Sequence, residues 1–221
     1  MCEPFIENHQ FNLIRRHAKL LIEACRTAVA PQAAESVRDG VRTEIWSMFP
    51  DAAEQQLRLL ENVTEARTEE DIRRGLLALE PCLTAFPQVT EKRLRQLFPK
   101  VRKLRVPDLS AVDWRRITYL SWTDAAANRM FLVSVLDGRL VGIEGRFTPV
   151  HKKSVCFLCG RHSEVVLFSA VSKMKPAHAP SDYYKAVGNY LCLDGGECNR
   201  HITGTAALDR FVREVAGSRE S

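Results

Sequence analysis

The chain has 221 residues and a mass of 25.0 kDa, enough for one large domain or two small ones. Its 45% hydrophobic and 27% charged content excludes collagen-like, low-complexity and wholly disordered classes. No apolar run comes near the roughly 18 residues of a membrane span, and Met1 to Glu7 lack the basic-then-apolar order of a secretory signal, so a cytoplasmic location without membrane contact is expected. The formal charge of +5 is unevenly shared. Residues 1–90 hold 10 Lys/Arg against 14 Asp/Glu, whereas residues 91–221 hold 22 against 13. The basic part points to an acidic partner, either a nucleic acid or an acidic protein.

Phe11, Ile14, Ala18, Leu21, Ile22, Cys25 and Val29 recur at spacings of three and four, the stripe of an amphipathic helix running from about Phe5 to Val29. Pro31 closes it, and a second helix is expected from about Ala33 to Phe49. A third fits Ala52 to Val63. A fourth starts at Thr68, three residues before Asp71, and carries Ile72, Leu76, Leu77 and Leu79 until Pro81. Four helices with short connections read as an antiparallel bundle. Residues Thr90 to Leu104 then form a basic helix or helix-plus-turn, broken at Pro107-Asp108, the expected hinge.

Beyond the hinge the apolar period shortens to that of strands: Ile117–Trp122, Met130–Leu136 and Arg139–Phe147. Asp137-Gly138 between the last two is a hairpin signal, because both residues accept positive φ. Further strands are expected at Val165–Ala170 and Asn189–Leu193, and a closing helix at Thr205–Ala216.

Seven cysteines occur. An odd number argues against a disulfide framework. Cys25 and Cys82 fit helical stripes as buried free thiols, and Cys2 is terminal. The remaining four form Cys156-x2-Cys159 and Cys192-x5-Cys198, two pairs that can place four thiolates around one zinc ion with no position left for water. Gly160 follows the first pair, and Gly195-Gly196 give the wider second loop its freedom. The order of turn, hairpin, strand and helix start resembles a treble-clef zinc finger. His162 and His201 each follow a cysteine by three and are alternative ligands in a three-cysteine, one-histidine site. His162-Ser163-Glu164 lacks the downstream Pro-Cys-x-x-Cys of zinc deaminases. With no nucleophile elbow, phosphate loop or His-Glu-x-x-His either, no enzymatic role is expected.

Several motifs together carry a family resemblance: His9-Gln10-Phe11-Asn12 with Ile14-Arg15, Leu97-Phe98-Pro99-Lys100-Val101-Arg102-Lys103 before Pro107, Ser121-Trp122 followed by Asn128-Arg129, and the cysteine pairs with their unusual five-residue gap. From about residue 8 to residue 215 the chain resembles the FusB-type elongation factor G (EF-G)-binding proteins. The resemblance implies an α+β protein: an N-terminal antiparallel helical bundle (residues 1–88), a basic helix or connector (89–110), and a mixed α/β zinc-binding domain (111–221) with its four-cysteine finger at 154–216. It implies one zinc ion per chain, binding to EF-G on the ribosome and promotion of its release, which in some members relieves translation of fusidic acid. Tyr190 and Phe211 match the family's partner surface by position, and Tyr183 and Lys185 lie beside it as further candidate contacts. Val187 departs from the lysine that some members carry. The other reading, drawn from the basic half, is a zinc-finger binder of ribosomal RNA or DNA.

Overall fold

The computed structural model describes residues 3–27, 31–174, 176, 178, 180 and 183–217. Met1–Thr84 and Ala85–Ser221 each form a compact unit.

The first unit holds helices α1 (Asn8–Thr27), α2 (Pro31–Ser47), α3 (Glu54–Thr64) and α4 (Glu69–Leu79). Val29, expected to end α1, lies outside the described residues. Phe11, Ile14, Ala18, Leu21 and Ile22 form the buried stripe of α1, and they meet Val41, Ile45, Leu60, Val63, Ile72 and Leu79 in one core. Thr68 caps α4 as its spacing foretold: its Oγ1 accepts from the Asp71 amide at 3.1 Å, and Asp71 Oδ2 accepts from the Thr68 amide at 3.0 Å. At Gly75 an added Cβ would stand 2.8 Å from Val63 Cγ2, so α3 and α4 approach closely there. The chain start is pinned to the end of the unit. The Phe5 and Ile6 amides donate to the Cys82 carbonyl at 2.9 and 3.1 Å, and the Thr84 amide donates to the Ile6 carbonyl at 2.8 Å. Two thiol expectations fail here: Cys25 is exposed, and Cys82, although buried, is disulfide-bonded.

Helices α5 (Glu91–Leu97), α6 (Gly195–Asn199) and α7 (Ala206–Ala216) belong to the second unit, with strands β1 (Leu120–Asp124), β2 (Arg129–Leu136), β3 (Arg139–Pro149), β4 (Ser154–Val155), β5 (His162–Ser163), β6 (Val165–Val171) and β7 (Ala186–Cys192). An antiparallel sheet runs in the order β1-β2-β3-β6-β7, and β4 pairs with β5 beside it. Asp137 and Gly138 both adopt positive φ, 49° and 71°, which gives the β2–β3 turn the twist its strands need. Arg213 of α7 clasps the same turn with two hydrogen bonds to Asp137.

Side chains alternate across the sheet and separate two cores. Met130, Leu132, Ile143, Val166, Phe168 and Leu191 share one with Leu208, Phe211, Val212 and Val215 of α7. Phe131 and Val133 face the other way and are covered by Leu94, Phe98 and Leu104. Trp122 stacks on Phe131 at 5.0 Å, and Phe98 meets Phe131 edge-on at 5.1 Å. A Cβ at Gly142 would fall 2.8 Å from Phe98 Cζ. The basic stretch 89–110, read from sequence as a connector, is therefore the lid of this second core. Its helix also stops at Leu97, since Pro99 disfavours helical geometry in Phe98 (φ −120°, ψ 59°).

Arg38 is a buried charged side chain in the helical unit. It is 3% exposed, and its Nη1 donates to the Thr64 carbonyl and, at 3.3 Å, to that of Ala66. It thus satisfies the carbonyls at the end of α3. Arg38→Ala should cost the helical unit about 2–4 kcal/mol by leaving them bare. Urea unfolding followed by helical circular dichroism measures this, and an unmoved midpoint would contradict the assignment.

Candidate metal centre

The turn between β4 and β5 carries the first cysteine pair. The Cys156 amide donates to the Arg161 carbonyl and the Gly160 amide to the Cys156 carbonyl, both at 2.9 Å. Gly160 reverses the chain at φ 67°, a conformation other residues reach only with strain. Cys192 ends β7, and its amide donates to Cys156 Sγ at 3.4 Å. Cys198 lies on α6, whose first turn is capped by Asp194: Oδ1 accepts from the Gly196 amide at 2.8 Å. At Gly195 a Cβ would come within 2.0 Å of Ser121 Oγ, so the Ser121 hydroxyl would have to turn away to admit a larger residue beside β1.

These local structures converge. The four sulfurs lie within 4.8 Å of one another, with Cys156 to Cys198 at 3.8 Å and Cys159 to Cys192 at 3.7 Å. Four sulfurs at about 2.3 Å from a tetrahedral ion stand about 3.8 Å apart. The residues therefore fit a four-thiolate site. Cys156, Cys192 and Cys198 are buried, and Cys159 is half-buried.

The electrostatics also call for a cation. Hydrogen bonds from Cys159, Cys192 and Cys198 push the Cys156 thiol far below its usual range. The same partnerships, led by Cys156, push Cys198 far above it. Four clustered thiols thus give up the first proton readily and hold the last, because like charges crowd together. A divalent ion removes that conflict, and its uptake displaces protons.

Neither histidine alternative is drawn into the quartet. Among the described residues the clustered group is the four cysteines; His162 is exposed on β5, and His201 Nε2 lies 2.9 Å from Glu197 Oε1. Of the proposed partner contacts, Tyr190 is 44% exposed on β7. Tyr183 is half-buried, and Lys185 Nζ donates to Glu214 Oε1 at 2.6 Å. Phe211 corrects the expectation: it is 1% exposed, packed edge-on against Phe157 and Phe168. It shapes the core and presents no surface to a partner.

Two supporting residues escaped sequence reasoning. Asn199, buried beside Cys198, accepts at Oδ1 from the Thr118 amide at 2.7 Å and donates from Nδ2 to the Tyr119 and Gly195 carbonyls at 2.8 and 2.9 Å. It ties α6 to the chain entering β1. Tyr119 is fully buried, and its hydroxyl makes no hydrogen bond of standard geometry. Burial and then the Cys198 sulfur raise its pKa well above the usual phenol value. Contacts across 80 positions of sequence leave no local signal.

The family model described as FBP C-terminal treble-clef zinc-finger matches residues 99–219. A second, described as elongation factor G-binding protein, N-terminal, matches residues 5–87. No curated protein matches. A solved structure, that of the fusidic acid resistance protein FusC, is similar over 96% of this chain and 97% of that one, with 26% sequence identity and a TM-score of 0.80. The finger family and the four-sulfur geometry together identify the ion as zinc.

Metal analysis should find about one zinc per chain, and Cys198→Ser should reduce it to near zero while leaving the helical signal of the first unit. Full zinc retention by that variant would contradict the ligand set. Zinc should also be lost progressively as pH falls, because protons compete for the sulfurs.

Proposed function

From the premise that the chain belongs to the family of EF-G-binding proteins with a C-terminal treble-clef zinc finger, we propose that it binds EF-G and promotes its release from the ribosome. In cells exposed to fusidic acid the same action relieves the stalled factor. Similarity over nearly the whole chain to a fusidic acid resistance protein supports this reading, and the protein works as a non-enzymatic binding module in the cytoplasm. Among the described residues no helix is long and apolar enough to cross a membrane.

The observation that carries the reading is an exposed apolar strip on the zinc-binding unit. Leu167 on β6 pairs across the sheet with Tyr190 on β7. The two are 40% and 44% exposed, and Val171, two pleats along β6, is 60% exposed. An aromatic beside aliphatic side chains on a rigid sheet is the chemistry of a protein-docking anchor. Zinc supplies a fixed cross-link there. Cys192 ends the strand that carries Tyr190, and the Phe157 amide next to Cys156 donates to the Tyr190 carbonyl at 2.7 Å. Metal ligation thus fixes the backbone from which Tyr190 projects. Tyr183 and Lys185 are proposed as flanking contacts, the latter released from Glu214 on binding.

Tyr190→Ala should weaken EF-G binding at least about tenfold without altering zinc content. Isothermal titration with purified EF-G measures the first and metal analysis the second. Unchanged affinity would remove the strip from the interface.

A further inference from the structure

Between residues 92 and 107 the chain carries seven Lys/Arg and no carboxylate. The fold sorts this segment cleanly. Leu94, Phe98 and Leu104 turn into the core beneath it, while Lys92, Arg93, Arg95, Lys100, Arg102, Lys103 and Arg105 are all exposed. Two of these cations are neutralised locally: Arg95 by Glu91, and Arg105 by Asp124 at 3.5 Å. Arg93 hydrogen-bonds the neutral Gln96 at 3.2 Å. Lys92, Arg93, Lys100, Arg102 and Lys103 therefore form a ridge of five cations with no carboxylate partner among the described residues.

What the ridge lacks is as informative. Among the described residues, no large hydrophobic side chain is exposed between Leu77 and Val155. A protein interface needs buried aromatic or aliphatic anchors, and a lipid surface needs apolar side chains to insert. A single-stranded nucleic acid is held by exposed aromatic rings that stack on its bases. Charge without anchors or rings suits the regularly spaced phosphates of a duplex, which are bound without base readout.

The ridge also has a defined place. It covers the β1–β3 part of one sheet face, and strand pairing puts Leu167 and Tyr190 on the β6–β7 part of that same face. We infer that residues 92–103 bind the phosphate backbone of duplex RNA beside the protein-docking strip. The choice of RNA over DNA rests on the EF-G reading, since EF-G works on the ribosome; the cationic chemistry does not.

The test is fluorescence anisotropy of the zinc-loaded full chain with a labelled RNA hairpin, titrated at several salt concentrations. Five phosphate contacts give a slope of log affinity against log salt of about −4.5, so that affinity falls about 500-fold between roughly 50 and 200 mM salt. Replacing Lys92, Arg93, Lys100, Arg102 and Lys103 together by Gln should flatten the slope to near zero while EF-G affinity, measured by calorimetry, is kept. The two-site change Lys100→Glu with Lys103→Glu should lower RNA affinity in the same direction with zinc content unchanged. No RNA binding by the parent protein, or an equal slope in the Gln variant, would overturn the inference. Tighter binding to a DNA duplex, or competition by poly-glutamate as effective as by RNA, would overturn the assignment to RNA. Loss of EF-G affinity in Tyr190→Ala with RNA binding intact supports two separate surfaces; loss of both to the same degree overturns their separation.

Discussion

Four sulfurs drawn to within 4.8 Å of one another, three of them buried, are an unstable arrangement for a protein by itself. As thiolates they repel, and as thiols they are poor hydrogen-bond partners packed where apolar atoms would serve better. A tetrahedral zinc ion resolves this and in doing so joins three separate pieces of chain: the Gly160 turn, the end of β7 and the first turn of α6. Each piece is locally prepared for the role, by a left-handed glycine, by a sheet register and by the Asp194 cap. Preparation of this kind leaves the ion only the task of joining parts already in place. Asn199 extends the joint from α6 to β1 through its hydrogen bonds to the backbone of Thr118 and Tyr119.

From that joint the sheet gains two unlike faces. One is closed by α7, where Phe211 and Val212 fill the space over Phe168, and the clasp of Arg213 on Asp137 ties the helix to the far hairpin. The other is half covered by the basic segment and half open at Leu167 and Tyr190. The covered half owes its order to three aromatic rings, Phe98, Trp122 and Phe131, in mutual contact. The zinc-binding unit thereby presents an exposed apolar strip and a set of exposed cations on the two halves of one sheet face.

Features that depend on near neighbours were readable from the residues. The Thr68–Asp71 capping pair, the Asp137-Gly138 turn and the apolar run of β2, buried on both faces, follow from rules spanning a few positions. So do the two cysteine pairs, because a metal site needs specific residue types at short spacings. Features that depend on distant partners were not. The basic character of residues 92–105 masked the apolar triad Leu94, Phe98 and Leu104, whose uneven spacing fits neither a continuous helix nor a strand. Phe211, matched to the family's partner surface by position, is set in the core by the facing Phe157 and Phe168. Arg38, Asn199 and Tyr119 resemble ordinary surface, loop and strand residues until the fold buries them. Cys25, placed on the apolar stripe of α1 by spacing, sits just beyond the buried part of that stripe.

If the metal joint holds the docking strip in its binding-competent form, zinc and EF-G affinity must rise and fall together. The most direct measurement titrates EF-G calorimetrically into zinc-loaded protein and into protein stripped by a chelator, then into stripped protein given zinc again. Tight binding by the loaded form, its loss on stripping and its return with zinc are the predicted results. Equal heats and affinities from loaded and stripped protein would contradict that dependence.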